Sequence, residues 1–194
     1  MISCINCICI HSPRGKILAS GGGDTTVRFW DVNTCLPIYC GKEHTQPVLS
    51  TLWSPDGKWF VSADQGGNVL LWDPFKKKGL NGSMEQEVVG SKGEERASTF
   101  TTTSSSSQKV SSSSNTTSLL VGKIKAHTKH ITSMAFEPMH RVHHLRLTNN
   151  GQKYSCERFV TASKDGLAKI WNIRTKQCEA TLSGHLEGIE CVKW

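Results

Sequence analysis

Two kinds of side chain in this sequence could support chemistry: histidines that precede aspartate-containing segments, and cysteines near the amino terminus. His127 precedes Asp165, and the pairs Glu43-His44 and Gly184-His185 repeat the same landmark. A histidine beside a carboxylate can act as a general acid or base. However, no nucleophile motif accompanies these residues, and a catalytic pair is needed only once in a chain. The repetition therefore favours a scaffold and predicts that the protein is not an enzyme.

The cysteines do not form a metal-binding pattern. Cys4, Cys7 and Cys9 lack a second pair, whereas a zinc site needs about four ligands in paired spacings. Cys7 and Cys9 alternate with isoleucines, which predicts a strand in which cysteine serves as a small hydrophobic residue. The other five of the eight cysteines are scattered, so we expect free thiols and no disulfides.

Other candidate ligand sites are equally incomplete. His140, His143 and His144 have no acid or cysteine positioned to complete a ligand set, so we expect a solvated basic loop there. The glycines at 21–23 precede no helix and no Gly-Lys-Ser sequence, so they predict a turn and not a phosphate site. Residues 1–10 are apolar but short and follow no basic residue, which predicts neither a signal peptide nor a membrane span. No cofactor, small-molecule substrate or membrane partner is expected.

A β-hairpin with an aspartate at its turn organises the chain. Residues 159–172, FVTASKDGLAKIWN, combine two short strands with a tight Lys164-Asp165-Gly166 turn, and the second strand ends on Trp171. Similar hairpins occupy residues 17–31 and 60–73 and end on Trp30 and Trp72. The recurrence predicts several copies of one structural unit.

The intervals between landmarks show that the repetition is regular. Trp30 and Trp72 are 42 residues apart, within the roughly 40–45 residues of a four-stranded propeller blade. Trp72 and Trp171 are 99 residues apart, an excess of 57 over one period. The histidine landmarks are 83 and 58 residues apart, and their excesses of 41 and 16 account for the same 57. Two independent landmarks therefore agree on a regular array with two insertions.

This array predicts an all-β chain that forms a partial β-propeller of about three to four four-stranded antiparallel blades. Residues 1–73 hold the first blade and most of the second, and residues 119–194 hold the outer strand of the second, the third, and the start of a fourth, with a basic loop at 139–155. Residues 74–118 are a Ser/Thr-rich insertion without apolar periodicity, so we expect disorder there. Blades 1, 2 and 3 are named here by their tryptophans, in chain order.

The motifs resemble the WD-repeat family of β-propellers. They include the corner histidine, the SPDGK turn at 54–58, the Asp-turn hairpin, and the pairs Trp30-Asp31 and Trp72-Asp73. In that family the histidine, the aspartate, a Ser or Thr on the preceding strand, and the tryptophan form a hydrogen-bonded tetrad. The resemblance implies that the imidazole donates to the carboxylate and accepts from the hydroxyl, which in turn accepts from the indole.

Blade 3 carries the full set of tetrad residues: His127, Asp165, Trp171, and either Thr161 or Ser163. Blade 2 has His44, Ser62 and Trp72 but Gly66 in the aspartate position, so its network is expected to be incomplete. Blade 1 supplies only the carboxylate and the indole, and no corner histidine: Asp24 and Trp30.

Longer stretches resemble the Notchless family. These include SGGGDTTVRFWD at 20–31, VLLWDP at 69–74 and, least generic, FEPMH at 136–140, where most WD repeats have an SPDG-type turn. Family members are non-catalytic factors in assembly of the large (60S) ribosomal subunit. The resemblance implies the nucleus and nucleolus as the location and the pre-60S particle, with its rRNA and ribosomal proteins, as the partner. It implies docking to a Midasin-type ATPase only through a ubiquitin-like domain outside this sequence.

Basic residues supply the candidate contacts with rRNA or protein. The formal net charge is +7, and such an excess attracts nucleic-acid phosphates. The basic residues concentrate around the second insertion, and five are candidate contacts: Lys123, Lys125, Lys129, Arg141 and Arg146. Charge alone does not distinguish this role from that of a soluble face.

Two alternative functions remain open at this point. The sequence Trp171-Asn172-Ile173-Arg174 nearly matches the WDxR box of substrate receptors for cullin-RING ubiquitin ligases, with Asn in place of Asp. The other alternative is a generic signalling scaffold that binds a peptide partner.

Overall fold

The structure, a computed structural model, describes residues 5–10, 15–76, 118–141 and 154–194. All of its regular elements are β-strands, which are numbered in chain order: β1 Ile5–Ile10, β2 Ile17–Gly22, β3 Val27–Asp31, β4 Pro37–Gly41, β5 Val48–Trp53, β6 Phe60–Asp64, β7 Asn68–Trp72, β8 Leu120–Lys125, β9 Ile131–Phe136, β10 His140–Arg141, β11 Tyr154–Ser155, β12 Arg158–Ser163, β13 Ala168–Asn172 and β14 Cys178–Leu182.

The strands form three four-stranded antiparallel sheets and one short ribbon. Blade 1 has the order β1-β2-β3-β4, blade 2 has β5-β6-β7-β8, and blade 3 has β9-β12-β13-β14. Strands β10 and β11 pair with each other between the first two strands of blade 3. The predicted all-β architecture of repeated four-stranded blades is therefore confirmed. Residues 183–194 contain no strand, so the described structure stops short of a fourth sheet.

The three tryptophans occupy equivalent positions. Trp30, Trp72 and Trp171 each lie near the end of the third strand of a blade, at a register shift against the fourth strand. Each tryptophan pairs with a large apolar residue on the second strand of its blade: Leu18, Phe60 and Phe159, respectively. A register shift of this kind bends a strand and re-aims its side chains. The common geometry confirms that the hairpins are copies of one unit.

Two apolar cores lie between adjacent blades. Phe60, Leu70 and Trp72 of blade 2 face blade 1, whereas Val61 and Leu71 face blade 3. Successive residues of a strand point to opposite faces of the sheet, so blade 2 is covered on both sides. All five residues of β6 are accordingly buried. The outer strand β14 of blade 3 is mostly exposed.

The first insertion replaces a tight turn. In blades 1 and 3 the third and fourth strands are joined through Cys35 and Lys176, which have φ values of 58° and 60°. In blade 2 the same junction is closed by a hydrogen bond from Asp73 N to Leu119 O of 3.0 Å. The predicted disordered insertion falls almost wholly on residues 77–117, which lie outside the described part of the chain. None of the described segments forms a helix long and apolar enough to cross a membrane.

Candidate functional site

Blade 3 assembles four side chains into one buried hydrogen-bonded relay. His127 Nδ1 lies 3.0 Å from Asp165 Oδ2, and His127 Nε2 lies 2.8 Å from Thr161 Oγ1. Trp171 Nε1 donates to the same hydroxyl at 2.9 Å. Ser163 lies outside the relay, because its hydroxyl donates to the carbonyl of Lys129. The structure thus selects Thr161 from the two predicted hydroxyl residues.

Blade 2 contains an equally complete relay, so the expectation of an incomplete network there is wrong. His44 Nε2 lies 2.7 Å from Ser62 Oγ, and Trp72 Nε1 donates to Ser62 Oγ at 2.8 Å. The carboxylate comes from Asp64, whose Oδ2 lies 3.0 Å from His44 Nδ1. Gly66, the position expected to supply it, takes no part. The carboxylate is provided two residues earlier, from the end of the strand and not from the turn.

Asn68 explains how Asp64 is held in this position. Its backbone N–H donates to Asp64 Oδ1 at 3.0 Å, and its side-chain amide lies 3.0 Å from both carboxylate oxygens. In blade 3 the residue aligned with Asp64 is Ser163, which accepts a hydrogen bond from Asp165 N at 3.2 Å. The sequence does contain a signal for this arrangement, because Asp64 stands two residues before Gly66 and four before Asn68. A strict six-residue spacing from the carboxylate to Trp72 selects Gly66 and so misses Asp64.

The relay of blade 3 favours a neutral imidazole beside an ionised carboxylate, and the carboxylate of blade 2 is also held ionised. Burial raises the pKa of Asp64, but hydrogen bonds from His44 and Asn68 outweigh it and hold that pKa below its ordinary value. Burial also raises the pKa of Asp165, and backbone N–H groups together with His127 lower it by more. For His127 burial is the largest influence and lowers its pKa despite the adjacent Asp165 carboxylate. Both histidine side chains are 0% exposed, so neither presents a ring nitrogen to a substrate.

Blade 1 has a partial relay beside an open cavity. Trp30 Nε1 donates to Ser20 Oγ at 2.9 Å, as the other tryptophans do in their blades. Asp24 accepts hydrogen bonds from Thr26 N and Thr26 Oγ1 at 3.1 and 2.7 Å. No imidazole of the described residues reaches these groups. A cavity of about 230 Å³ lies there, lined by Ile5, Ser20, Gly22, Asp24, Thr26, Arg28 and Trp30.

Glu137 is a structural residue that the sequence analysis left without a role. It belongs to the FEPMH stretch, it is 4% exposed, and its Oε1 accepts hydrogen bonds from Glu157 N and Arg158 N at 2.8 and 3.0 Å. Its Oε2 accepts from Arg158 Nε at 2.8 Å. In blade 2 Ser54 takes the corresponding place and accepts from Trp59 N. The Glu137 carboxylate therefore joins the end of β9 to the start of β12, and the connection between these strands contains the second insertion.

Cys7 and Cys9 pack between blades 1 and 2. Cys9 Sγ lies 3.3 Å from Thr51 Oγ1, and Cys7 Sγ lies 3.8 Å from Gly21 O. Burial raises the pKa of Cys9 to about 11, which keeps it a thiol at neutral pH. Within the described residues, no group of three or more His, Cys, Asp or Glu side chains could hold a metal ion.

Three of the predicted contact residues are exposed on β8 and on the corner that follows it. Lys123 and Lys125 project from the outer strand β8, and Lys129 follows in the corner before β9. Lys125 Nζ also donates to the carbonyl of Gly66. Arg141 belongs to β10, but its side chain is outside the described structure, as is all of Arg146. We call Lys123, Lys125 and Lys129 the basic surface.

The residues of the WDxR-like sequence have structural partners. Asn172 Oδ1 accepts hydrogen bonds from Arg174 N and Thr175 N at 3.0 and 3.2 Å. Arg174 Nε lies 2.9 Å from Glu157 Oε1. The arginine therefore links the turn after β13 to the start of β12.

Comparisons with known proteins identify both the repeat and its relatives. The family model described as WD domain, G-beta repeat, matches residues 3–31, 34–73 and 118–172, which together exceed half of the chain. The Notchless protein homolog of Arabidopsis thaliana is 36% identical over 96% of this chain, and Drosophila melanogaster protein Notchless is 31% identical over 94%. Ribosome assembly protein 4 of Saccharomyces cerevisiae is 29% identical over 98%. The chain spans only 29%, 27% and 28% of the lengths of these relatives.

The solved structures agree on the fold. The structure of U3-55K superposes with a TM-score of 0.63 over 97% of this chain and 42% of its own, at 15% identity. The crystal structure of the RRP9 WD40 repeats gives the same TM-score over 97% of this chain and 41% of its own, also at 15% identity. Together with the matched repeats and the two complete relays, these findings show that the chain belongs to the WD-repeat family and is Notchless-like over nearly its whole length.

Proposed function

We propose that this chain is part of a non-catalytic scaffold for ribosome biogenesis, acting in the nucleus and nucleolus on the large (60S) subunit. The observation that carries the proposal is the similarity to Notchless and ribosome assembly protein 4, which extends over at least 94% of the chain. A propeller fold by itself does not specify a function, so the proposal depends on this similarity and on the chemistry of the exposed residues.

The relays support a scaffold role. Both ring nitrogens of His44 and of His127 are used in buried hydrogen bonds. Such closed networks make a blade rigid but leave no group for acid–base chemistry. The blades therefore act as a platform that presents exposed loops and outer strands to a partner.

The basic surface is the proposed contact with the pre-60S particle. Lys123 and Lys125 are two residues apart on β8 and so project from the same side of the strand. Lysines on an exposed strand can neutralise rRNA phosphates or meet acidic segments of ribosomal proteins. Any connection to a Midasin-type ATPase would use a domain outside this chain and involves none of these residues.

Affinity purification of the tagged chain from nuclear extract tests the proposal. We expect enrichment of large-subunit precursor rRNA and large-subunit ribosomal proteins over their small-subunit counterparts. The double variant Lys123→Glu with Lys125→Glu should recover less of this RNA at low salt. The difference from the wild-type chain should shrink as the salt concentration rises, because salt screens the phosphate contacts that the variant lacks.

A matched control carries the same change in net charge elsewhere. Lys16 and Lys193 are exposed residues outside β8 and the corner that follows it, and Lys16→Glu with Lys193→Glu should leave recovery unchanged. Equal losses in the two double variants would reject the basic surface as the contact. Recovery of cullin and adaptor subunits instead of pre-ribosomal RNA would reject the proposed function in favour of a ubiquitin-ligase receptor.

A further inference from the structure

Lysines from two blades converge on the outer strand of blade 2. Strand β8 is the last strand of its sheet and carries Lys123 and Lys125, whereas the outer strands β4 and β14 of the other blades contain no lysine or arginine. Lys176, in the turn before β14 of blade 3, donates from Nζ to the carbonyl of Val121 on β8 at 2.8 Å. Blade 3 therefore adds an ammonium group to the free edge of blade 2.

The local backbone places Lys176 at this edge. Lys176 has a φ of 60°, in the left-handed region that residues other than glycine seldom adopt. A Cβ atom built on Gly122 would lie 2.7 Å from Lys176 Cε and 2.8 Å from its Nζ. The absence of a side chain at Gly122 thus leaves the room that the lysine fills. Blade 1 has Tyr39 in the aligned position, opposite the residue before the tryptophan.

Lys169 supplies a second ammonium group from blade 3. Its Nζ donates to the carbonyl of Ala126, in the corner after β8, at 2.8 Å. Lys125 likewise donates to the carbonyl of Gly66. An ammonium group has three N–H donors, so one bond to a carbonyl holds it in place and leaves two donors for a ligand. A carbonyl has no net charge, so the positive charge of each lysine remains uncompensated.

The ammonium groups form a row without carboxylate partners. Val121 and Ala126 are five residues apart, which is about 17 Å along an extended strand. We call the following residues the lysine row: Lys123, Lys125, Lys129, Lys169 and Lys176. No carboxylate of the described residues forms an ion pair with the lysine row. The lysines and arginines that do form such pairs are Arg28, Lys58, Arg158, Lys164 and Arg174.

We propose that the lysine row binds the phosphates of an RNA backbone without reading the base sequence. The site rests on the proposed function, because it contains the basic surface, and it specifies RNA and not an acidic protein segment as the ligand. In duplex DNA each strand carries a phosphate about every 3.4 Å along the axis. A row of about 17 Å therefore meets roughly five phosphates of one nucleic-acid strand. Lysine binds each phosphate as a point charge.

The surroundings of the lysine row favour phosphates over a protein partner. Protein interfaces depend on aromatic and other large anchors at their centre. The large hydrophobic residues that are exposed in the described segments all lie outside β8 and the corner after it. The Trp171 ring, 5.9 Å from Lys169 Nζ, is only 6% exposed and offers no face on which a base can stack. Contacts of this kind position a nucleic acid but do not discriminate between bases.

Titration of a fluorescent RNA hairpin with the purified chain of this sequence, followed by anisotropy, tests the proposal. Lys176→Gln removes one charge and keeps a polar side chain. Loss of one phosphate contact should weaken binding about five- to eightfold at 0.1 M salt and lower the slope of log affinity against log salt concentration by about 0.7–0.9. Lys16→Gln removes an exposed charge beside β2 of blade 1. This matched control should change neither quantity.

Further measurements separate the ligand class from folding. A second hairpin of unrelated sequence should bind within about twofold of the first, because no base is read. Circular dichroism and thermal unfolding of both variants should match the wild-type chain, because Lys176 and Lys16 are exposed. Unchanged binding in Lys176→Gln, or an equal loss in Lys16→Gln, would overturn the proposal. A strong preference for one RNA sequence would do the same, as would tighter binding of a polyglutamate peptide than of RNA.

These outcomes are distinguishable from those of the pre-60S purification. The titration contains no ribosomal particle, so RNA binding can persist when recovery of pre-60S components fails, which would reject the proposed function alone. Recovery through ribosomal proteins can persist when the titration shows no RNA binding, which would reject the lysine row alone.

Discussion

Blades 2 and 3 form the same relay of carboxylate, imidazole, hydroxyl and indole, but they take the carboxylate from different positions in the chain. Asp64 lies at the end of β6, and Asp165 lies in the turn after β12. The Nδ1 to carboxylate distance is nevertheless 3.0 Å in both blades. The required position of the carboxylate is fixed by the imidazole, and more than one backbone position can reach it.

The two arrangements differ in what surrounds the carboxylate. The Asp64 side chain is 0% exposed, and the Asp165 side chain is 8% exposed. Asp64 depends on Asn68 for its remaining hydrogen bonds, whereas Asp165 uses the backbone of Leu167 and Thr128. Blade 2 is also packed on both faces and blade 3 on one. The relay of blade 2 should therefore be the more important for stability.

The largest expected effect comes from removing that carboxylate. Asp64→Ala leaves His44 and Asn68 buried without their acceptor, so it should lower the free energy of unfolding by about 3–5 kcal/mol. Asp165→Ala should cost less, about 2 kcal/mol, because water can replace part of what is lost. Urea unfolding of both variants measures the difference. Equal losses would contradict the proposed contrast between the blades.

A rescue experiment sharpens the comparison. Asp64→Ser combined with Gly66→Asp converts blade 2 to the arrangement of blade 3. A Cβ atom at Gly66 would lie 3.3 Å from the Asp64 carboxylate, which the first substitution removes, and 3.1 and 3.2 Å from the side chains of Asn68 and Gln46, which must shift by a few tenths of an ångström. The double variant should recover about 1–2 kcal/mol of the loss in Asp64→Ser. A double variant no more stable than Asp64→Ser would show that the carboxylate cannot be supplied from the turn.

The turn glycines of blades 2 and 3 differ in the space around them. Gly67 and Gly166 have φ values of 77° and 82°, and an alanine at either position is strained by about 1–2 kcal/mol. At Gly67 the added Cβ would also lie 2.3 Å from His127 O, whereas at Gly166 the nearest atom is 3.3 Å away. Gly67→Ala should therefore cost about 3 kcal/mol in thermal or urea unfolding, clearly more than Gly166→Ala. A larger loss of stability in Gly166→Ala than in Gly67→Ala would show that the corner at His127 can move to accommodate the added methyl group.

Blade 1 offers a stabilising substitution at the same turn position. Thr25 has φ of 65°, where blades 2 and 3 have glycine. A β-branched residue is disfavoured in this region, so Thr25→Gly should raise the free energy of unfolding by about 0.5–1 kcal/mol. Thr26→Gly, in the adjacent position, serves as the control and should destabilise, because Thr26 holds Asp24. A loss of stability in Thr25→Gly would indicate a side-chain contact that outweighs the strain.

The smallest expected effect is a change in pH dependence. Because burial lowers the pKa of His127, the unfolded chain binds more protons than the folded one once the pH falls below the ordinary value of 6.5. Stability should therefore decline as the pH falls below about 6.5. The lowered pKa values of Asp64 and Asp165 cause a further loss only near and below 3.8. His127→Gln should reduce the pH dependence of the free energy of unfolding between pH 6.5 and the range in which the aspartates titrate. An unchanged pH dependence would contradict the assignment to His127.

The repeat and its interruptions were predictable from the sequence, but the membership of each relay was only partly so. The hairpins, the equivalent tryptophans and the regular spacing follow from residues that lie close together in the chain. Asp64 was missed because a fixed spacing assumes one backbone route to the carboxylate. Thr161 stands ten residues before Trp171, as Ser62 stands before Trp72, so this spacing could have separated it from Ser163. The predicted disorder of the insertion and the roles of Arg141 and Arg146 remain predictions.

What the sequence determined by itself was the repeating unit: alternating strands, turn residues and a terminal tryptophan act over a few residues, and their spacing survives two insertions. Only the tertiary structure decided which carboxylate meets each histidine and what Glu137 binds. These pairings join positions up to 38 residues apart. They depend on how blades stack and on where each side chain points, and no local pattern specifies either.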